Sequence, residues 1–255
     1  MRPDGGFRDH FSGVAEGYSR FRPGYPPALF SWLAERAPER RLAWDCATGS
    51  GQAARGLAEH FERVVATDAS AEQVAHARPH PRVDFRVAPA ERSGLEAHSV
   101  DLVTVAQALH WFDLAAFFRE ARRVLRPGGL LAAWCYGRAT LSEPVLDAAF
   151  DAFYDGVLGP YWPPERRLVE EGYASIEFPF REIAAPPLAI EADLTLSDLA
   201  GYFRTWSATQ RFIAARGHDP VDAVVEELRT AWGDPAAPRR VRWPLAVRAG
   251  YTEAE

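Results

Sequence analysis

The chain reads as one open α/β domain on a mostly parallel sheet, and three observations lead there. Its 255 residues are 47% hydrophobic and 25% charged, ordinary proportions for a globular domain with a sizeable core. Short apolar runs alternate with helical patterns through the first half, as in successive β-α-β units. A loop of small residues, ATGSG (47–51), follows the first apolar run directly.

Residues 26–36 predict a helix opening on proline, whose missing N–H would be unpaired in a first turn anyway. A strand over 42–46 comes next. Helical spacing over 51–60, a strand over 64–67, helical spacing over 71–77 and a strand over 83–87 follow. The fourth strand is 100–106. A helix over 114–125 is stopped by Pro127-Gly128-Gly129, and the fifth strand is 130–136. There the alternation breaks. Residues 142–158 and 165–171 read as two helices joined by the stiff, aromatic PYWPPE (160–165), placed where a lid would sit. Residues 178–190 and 239–250 read as two longer strands, whose prolines restrict their pairing, with helices over 197–206 and 221–232 between them. The expected divisions of a single domain 1–255 are an N-terminal segment 1–37, a core 38–137, a helical lid 138–177 and terminal strands and helices 178–255.

Composition excludes several classes. A formal net charge of −6 points away from nucleic acid and anionic membranes. All 29 basic residues are Arg, so neither a Schiff-base lysine nor a P-loop lysine is available. Cys46 and Cys135 end the first and fifth strands; with the fourth strand between them they stand about 10 Å apart. That is too far for a disulfide, and two cysteines are too few for a structural zinc site. Buried, reduced thiols fit a cytoplasmic setting. No secretory leader, membrane span, internal repeat or metal-ligand cluster is legible.

The loop carries the chemistry. A strand ending in Asp45, then Ala47-x-Gly49-x-Gly51, then a helix, lets a ligand approach the backbone closely beside a helix N-terminus. Asp68 closes the second strand 19 residues after Gly49, the spacing of an acid that accepts hydrogen bonds from ribose hydroxyls. Both NAD and S-adenosylmethionine carry that ribose, and Gly49-Ser-Gly51-Gln-Ala-Ala54 also fits the dinucleotide pattern. Two features separate them. Asp45 at the strand end has a use beside an ammonium, and 255 residues leave no room for a second mononucleotide half plus a substrate domain.

A third feature is a resemblance. DLVTVAQALHWFDLAAFFREARRVLRPGGLLAAWCYG (101–137) resembles the fourth-strand to fifth-strand segment of class I S-adenosylmethionine-dependent methyltransferases, with WDCATGSG as their first motif. YSRFRPGYP (18–26), AQALHWFD (106–113), TWS (205–207) and WPLAVRAG (243–250) are similar to the subgroup containing trans-aconitate methyltransferases. Together these cover nearly the whole chain, although Ala47 stands where the loop pattern has glycine.

The resemblance implies a Rossmann-like, doubly wound sheet of seven mostly parallel strands with an antiparallel terminal strand and a small helical lid. It implies S-adenosyl-L-methionine as cofactor and methyl transfer to a small molecule, by a monomer or homodimer. Ala47, Gly49 and Gly51 would pass close to the methionine part, with Asp45 near its ammonium. Asp68 would take the ribose. Ala69, Ala90 and Glu91 would flank the adenine, and Gln107 would meet the cofactor. Tyr18 and Arg22 would fold over it. Tyr25, His110, Trp111, Arg138, Arg204 and Trp206 are the candidate acceptor contacts, aromatic rings with guanidinium forks suited to a carboxylate. A carboxylate is ionised at neutral pH and needs no general base, so His110 is expected to position or pack. A phenol or amine acceptor is the alternative. Further off stand an NAD-binding oxidoreductase and a non-catalytic cofactor-binding protein.

Overall fold

The computed structural model describes residues 24–252, so Tyr18 and Arg22 lie outside the described residues. Five strands form the parallel part: β1 (Leu42–Cys46), β2 (Arg63–Asp68), β3 (Val83–Val87), β4 (Val100–Ala106) and β5 (Leu125–Tyr136). They lie in the order β3-β2-β1-β4-β5. Alternate side chains enter two separate cores. Trp44, Val65, Val103, Leu131 and Ala133 pack with Phe117 and Phe118 of α4 (Leu114–Val124) on one face. Ala43, Val64, Leu102, Ala132 and Trp134 pack on the other with α1 (Pro27–Arg36) and α2 (Gln52–Ala58). Helices on both faces explain why the inner strands are largely apolar rather than alternating, while the edge strand β3 alternates, with Asp84 and Arg86 between apolar residues. A short α3 (Ala71–His76) connects β2 to β3.

Among the described residues the sheet has nine strands instead of the expected seven. β9 (Arg239–Tyr251) runs antiparallel to β5, with Tyr136 opposite Leu245 and Leu130 opposite Tyr251. The short β6 (Thr140–Leu141) continues that edge, facing Arg242 and Val241. The opposite edge of β9 carries β7 (Arg181–Ile183) and β8 (Leu188–Leu194). The expected single strand over 178–190 is therefore two. Pro186 and Pro187 fall in the gap, where neither can donate to the ladder. Pro244 likewise sits in β9 where the facing edge is interrupted between β5 and β6.

The segment expected to be a small lid belongs to a larger helical layer. α5 (Pro144–Asp151), a π-helical turn (Ala152–Val157) and a 3-10 turn (Gly159–Tyr161) supply part of it. These join α7 (Leu196–Arg204), α8 (Ser207–Arg216) and α9 (Val221–Trp232) around a third core with Ile190, Val241 and Trp243 of the sheet. α6 (Arg166–Glu170) stands beside that layer and packs Val169 into the first core. α8 was not expected from the sequence. Only Ala208 and Thr209 of its ten residues are buried, so it has no apolar stripe to read. Among the described residues no helix is long and apolar enough to cross a membrane.

Candidate active site

The carboxyl ends of β1, β2 and β4 meet at one edge of the sheet, where open α/β folds bind their ligands. Ala47 (φ 55°), Gly49 (φ 55°) and Gly51 (φ 83°) all adopt left-handed backbone. Ala47 carries a Cβ there, a strain of about 1–2 kcal/mol. Two hydrogen bonds to Asp68 offset it: Oδ2 accepts from the Gly49 N–H at 2.9 Å and Oδ1 from the Ser70 N–H at 2.9 Å. Charge-assisted bonds of this kind contribute about 1.5–3 kcal/mol each, so the carboxylate outweighs the strained residue. A Cβ on Gly51 would lie 2.7 Å from the Phe85 ring, so this position takes glycine for space as well as for φ.

Asp45 is fully buried beneath the loop. Its carboxylate accepts from the Thr48 hydroxyl at 2.5 Å and the Thr104 hydroxyl at 2.8 Å. With no accessible surface, it supports the loop instead of lying open to a ligand's ammonium. Burial pushes its pKa up to about 6, against the pull of the two hydroxyls, so it is charged at neutral pH. Burial, and behind it the charges of Asp45, Glu91 and Asp68, push the thiol of Cys46 up. An edge bearing Asp68 and Glu91 suits a cationic ligand better than a pyrophosphate. The residues present therefore fit S-adenosylmethionine.

Ala69 and Glu91 are half-buried and Ala90 is buried along the same edge. The loop bearing Ala90 and Glu91 is tied to α4, where Glu120 accepts from the Ser93 N–H at 2.8 Å and the Ser93 hydroxyl at 2.6 Å. Gln107 (φ 57°) is a second strained non-glycine residue at a strand end. Its amide donates to the Tyr136 carbonyl at 2.9 Å, fixing it against β5.

Next to Gln107, a 3-10 turn (Leu109–Trp111) turns His110 and Trp111 into a cavity also lined by Tyr154, Trp162, Arg166 and Trp206. The predicted Gln107, His110, Trp111 and Trp206 thus come together. Trp206 sits at the middle of a ring cluster, with Phe203 at 4.8 Å, Tyr202 at 5.3 Å and both Tyr154 and Trp162 at 5.5 Å. His110 has its Nδ1 3.0 Å from the Tyr173 hydroxyl. Burial, with the charge of Arg166 second, lowers its pKa to about 4, so the imidazole is neutral at physiological pH.

Three predicted acceptor contacts lie elsewhere. Arg204 pairs with Asp219 and Asp222 at 2.6 Å each, across a helix junction. Arg138 pairs with Asp151 at 2.8 Å and Asp155 at 2.5 Å, and lies over the Tyr154 ring at 4.6 Å, facing a different cavity. Tyr25 stands edge-on against Trp134 at 5.5 Å, outside the lining of the His110 cavity. In each case a nearer partner claims the side chain. Among the described residues the guanidinium lining the cavity is that of Arg166, which the sequence reading missed. It differs from Arg167 only in helical phase: 18% of its side chain is exposed against 75%. The i to i+4 acid is no guide, since Glu170 follows Arg166 and Glu171 follows Arg167 at the same spacing.

The sheet order, the left-handed loop and the carboxylate-lined edge define a class I methyltransferase. Comparison with known proteins agrees. A methyltransferase domain model matches residues 44–133. A methyltransferase-family protein of Dictyostelium discoideum is 34% identical over 229 residues, covering 89% of this chain and 87% of that protein. A solved structure of a type II methyltransferase-family protein from Anaeromyxobacter dehalogenans is 50% identical, covers 92% of this chain and 99% of its own, and superposes with a TM-score of 0.87. The chain belongs to the S-adenosylmethionine-dependent methyltransferases. The fold also recurs in Haemonchus contortus phosphoethanolamine N-methyltransferase 2, whose complex holds S-adenosylhomocysteine (TM-score 0.52, 19% identity, 100% of this chain and 62% of that one).

Proposed function

We propose that the enzyme O-methylates a carboxylate of a small molecule. The observation that carries this reading is Arg166, a guanidinium inside a cavity otherwise lined by rings and neutral polar groups. The cavity encloses about 70 Å³, which suits a small molecule and not a folded partner. The resemblance to trans-aconitate methyltransferases points the same way.

When bound, the cofactor supplies a methyl group on a positive sulfur. This chain's residues supply the rest. Gly49 and Gly51 let the methionine part lie against the backbone, and Ala47 extends that surface. Asp68 takes the ribose hydroxyls while anchoring the loop. Ala69, Ala90 and Glu91 border the adenine, and Gln107 fixes the boundary with the acceptor. Asp45 contributes through its charge and its hold on Thr48. Tyr18 and Arg22 are proposed as the cover over this site. His110 and Trp111 wall the reacting end, Trp206 the far side, and together they exclude water. Alignment of this kind is worth about 7–11 kcal/mol in a displacement reaction. Neutral His110 is too weak a base to matter for an acceptor already ionised. A monomer or homodimer in a reducing compartment fits the two buried free thiols.

A phenol acceptor is the second reading, favoured by the presence of His110 in the cavity wall. A screen of small carboxylic acids, phenols and amines with methyl-labelled cofactor separates them. Label recovered as a base-labile methyl ester supports the carboxylate, and label recovered only as ethers or methylamines overturns it.

A further inference from the structure

Tyr173 has every polar atom committed. Its N–H donates to the Leu168 carbonyl of α6 at 2.8 Å, and Arg248 of β9 donates to its carbonyl at 2.7 Å. Tyr173 (φ 63°) and Gly172 (φ 59°) both adopt left-handed backbone, and a tyrosine keeps that conformation only where its surroundings impose it. The residue is fully buried, with its hydroxyl 3.0 Å from His110 Nδ1. The same hydroxyl meets the 3-10 turn that carries His110. The first N–H groups of a helical turn have no partner within it, and Ala108 at the head of this one offers no side-chain acceptor. The backbones of Leu109 and His110 donate instead to the Tyr173 oxygen, drawing down a phenol pKa that burial pushes well up.

One hydrogen decides what faces the cavity. The Tyr173 oxygen already accepts from the turn, so its own hydrogen goes to His110 Nδ1. Were Nδ1 protonated, that buried hydroxyl hydrogen would have no acceptor among the described residues, a costly arrangement. Nδ1 is then the acceptor of the ring and Nε2 carries its hydrogen. Nε2 stands on the far side of the ring, where His110 lines the cavity, and makes no hydrogen bond among the described residues. We infer that Tyr173 is a positioning residue that fixes His110 as an Nε2–H donor aimed into the cavity, so that the acceptor presents an oxygen lone pair at that point. The inference rests on the reading that this cavity receives the acceptor. A carboxylate or carbonyl oxygen satisfies the donor, and an ammonium does not. A phenol could accept the bond but could not pass its proton back, because the free lone pair of the imidazole lies behind it, on Tyr173.

The test is long-range proton–nitrogen NMR on protein labelled at the histidine nitrogens and loaded with S-adenosylhomocysteine, with His110 assigned by its loss in His110→Gln. The wild type shows a protonated Nε2 and a bare Nδ1. Tyr173→Phe keeps the ring and removes the lock, so the two tautomers mix. In that variant KM for the acceptor most rapidly methylated in the screen above rises about 3- to 10-fold, from the worth of one hydrogen bond. Its kcat stays within about threefold and S-adenosylhomocysteine affinity within about twofold. In His110→Gln the amide N–H stands in for Nε2–H without help from Tyr173, so adding Tyr173→Phe there changes KM by less than about twofold. A protonated Nδ1 in the wild type overturns the inference even if Tyr173→Phe does not fold. A tautomer unchanged in Tyr173→Phe overturns it equally. A tautomer that mixes in Tyr173→Phe while KM stays put keeps the lock and removes the acceptor from this cavity, so the two readings fail separately.

Discussion

Two halves of the site meet at Gln107, and they are held by different forces. On the loop side, Asp45 and Asp68 take hydrogen bonds from two hydroxyls and two backbone N–H groups over short, fixed distances. On the helical side, Trp206, Tyr154, Trp162 and Tyr202 are placed by ring against ring. Hydrogen-bonded geometry tolerates almost no change in residue type. Ring packing accepts many solutions of similar volume. On the function proposed above, the half that binds the cofactor is the inflexible one, and the half that meets the acceptor has more room to change.

The largest expected effect is on folding. Trp206→Ala removes the centre of the ring cluster and should destabilise by about 3–5 kcal/mol. At roughly 2–4 °C per kcal/mol for a domain of this size, Tm drops by about 6–20 °C. Below that Tm, S-adenosylhomocysteine should still bind within about threefold of wild type. A parallel collapse of cofactor affinity would mean the halves are one cooperative unit.

Asp45 gives the next effect and its sign is fixed by burial. Its pKa stands at about 6 against the ordinary 3.8, so the folded chain binds that proton more tightly than the unfolded one. Its contribution to stability is complete below about pH 4 and falls as pH rises through 6, by about 3 kcal/mol. Asp45→Asn should remove the fall. Urea unfolding at closely spaced pH values would show wild type minus variant sloping down from pH 4 to 6, then levelling. A flat difference would say that the carboxylate is not desolvated.

Asp68→Ala should weaken S-adenosylhomocysteine by at least tenfold, at about 1.5–3 kcal/mol per charged hydrogen bond lost. Acceptor affinity measured separately should move little. An unchanged cofactor Kd would place the ribose on another group.

The smallest effect is at His110. With its pKa lowered to about 4, the ring is neutral across the working range. For a carboxylate acceptor, His110→Asn should keep kcat within about tenfold, and the wild-type kcat profile should be flat from pH 5.5 to 8. A thousandfold loss, with an acid limb that vanishes in the variant, would restore proton abstraction and a hydroxyl or amine acceptor.

What the sequence made legible follows the same division. Strands 42–46, 83–87 and 100–106 match β1, β3 and β4 residue for residue: β1 and β4 because central strands buried on both faces read as nearly unbroken apolar runs, β3 because a half-buried edge strand alternates apolar and charged residues. The loop was readable because left-handed φ admits few residue types, and Asp68 because it closes an apolar strand beside that loop. Beyond Tyr136 the signals fade. Gly172 and Tyr173 both have positive φ, yet no turn signature marks a tyrosine for that conformation. The choice of Arg166 over Arg138 and Arg204 depended on where Asp151, Asp155, Asp219 and Asp222 came to lie, which only tertiary structure decides. Arg-rich sequence offered many forks and no means of choosing one.

One consequence lies in strand β9. Its first half pairs with β8 beneath the helical layer and its second half with β5 of the parallel part, so both depend on one segment that follows every other strand among the described residues. During synthesis the ribosome has delivered β1 to β8 before the piece that seals them emerges. Until then β5 offers an unpaired edge, the kind of surface that recruits strands from neighbouring nascent chains. The emergence of β9 therefore decides whether this enzyme closes upon itself or joins an aggregate, and a chaperone's most useful moment of contact is the interval before it.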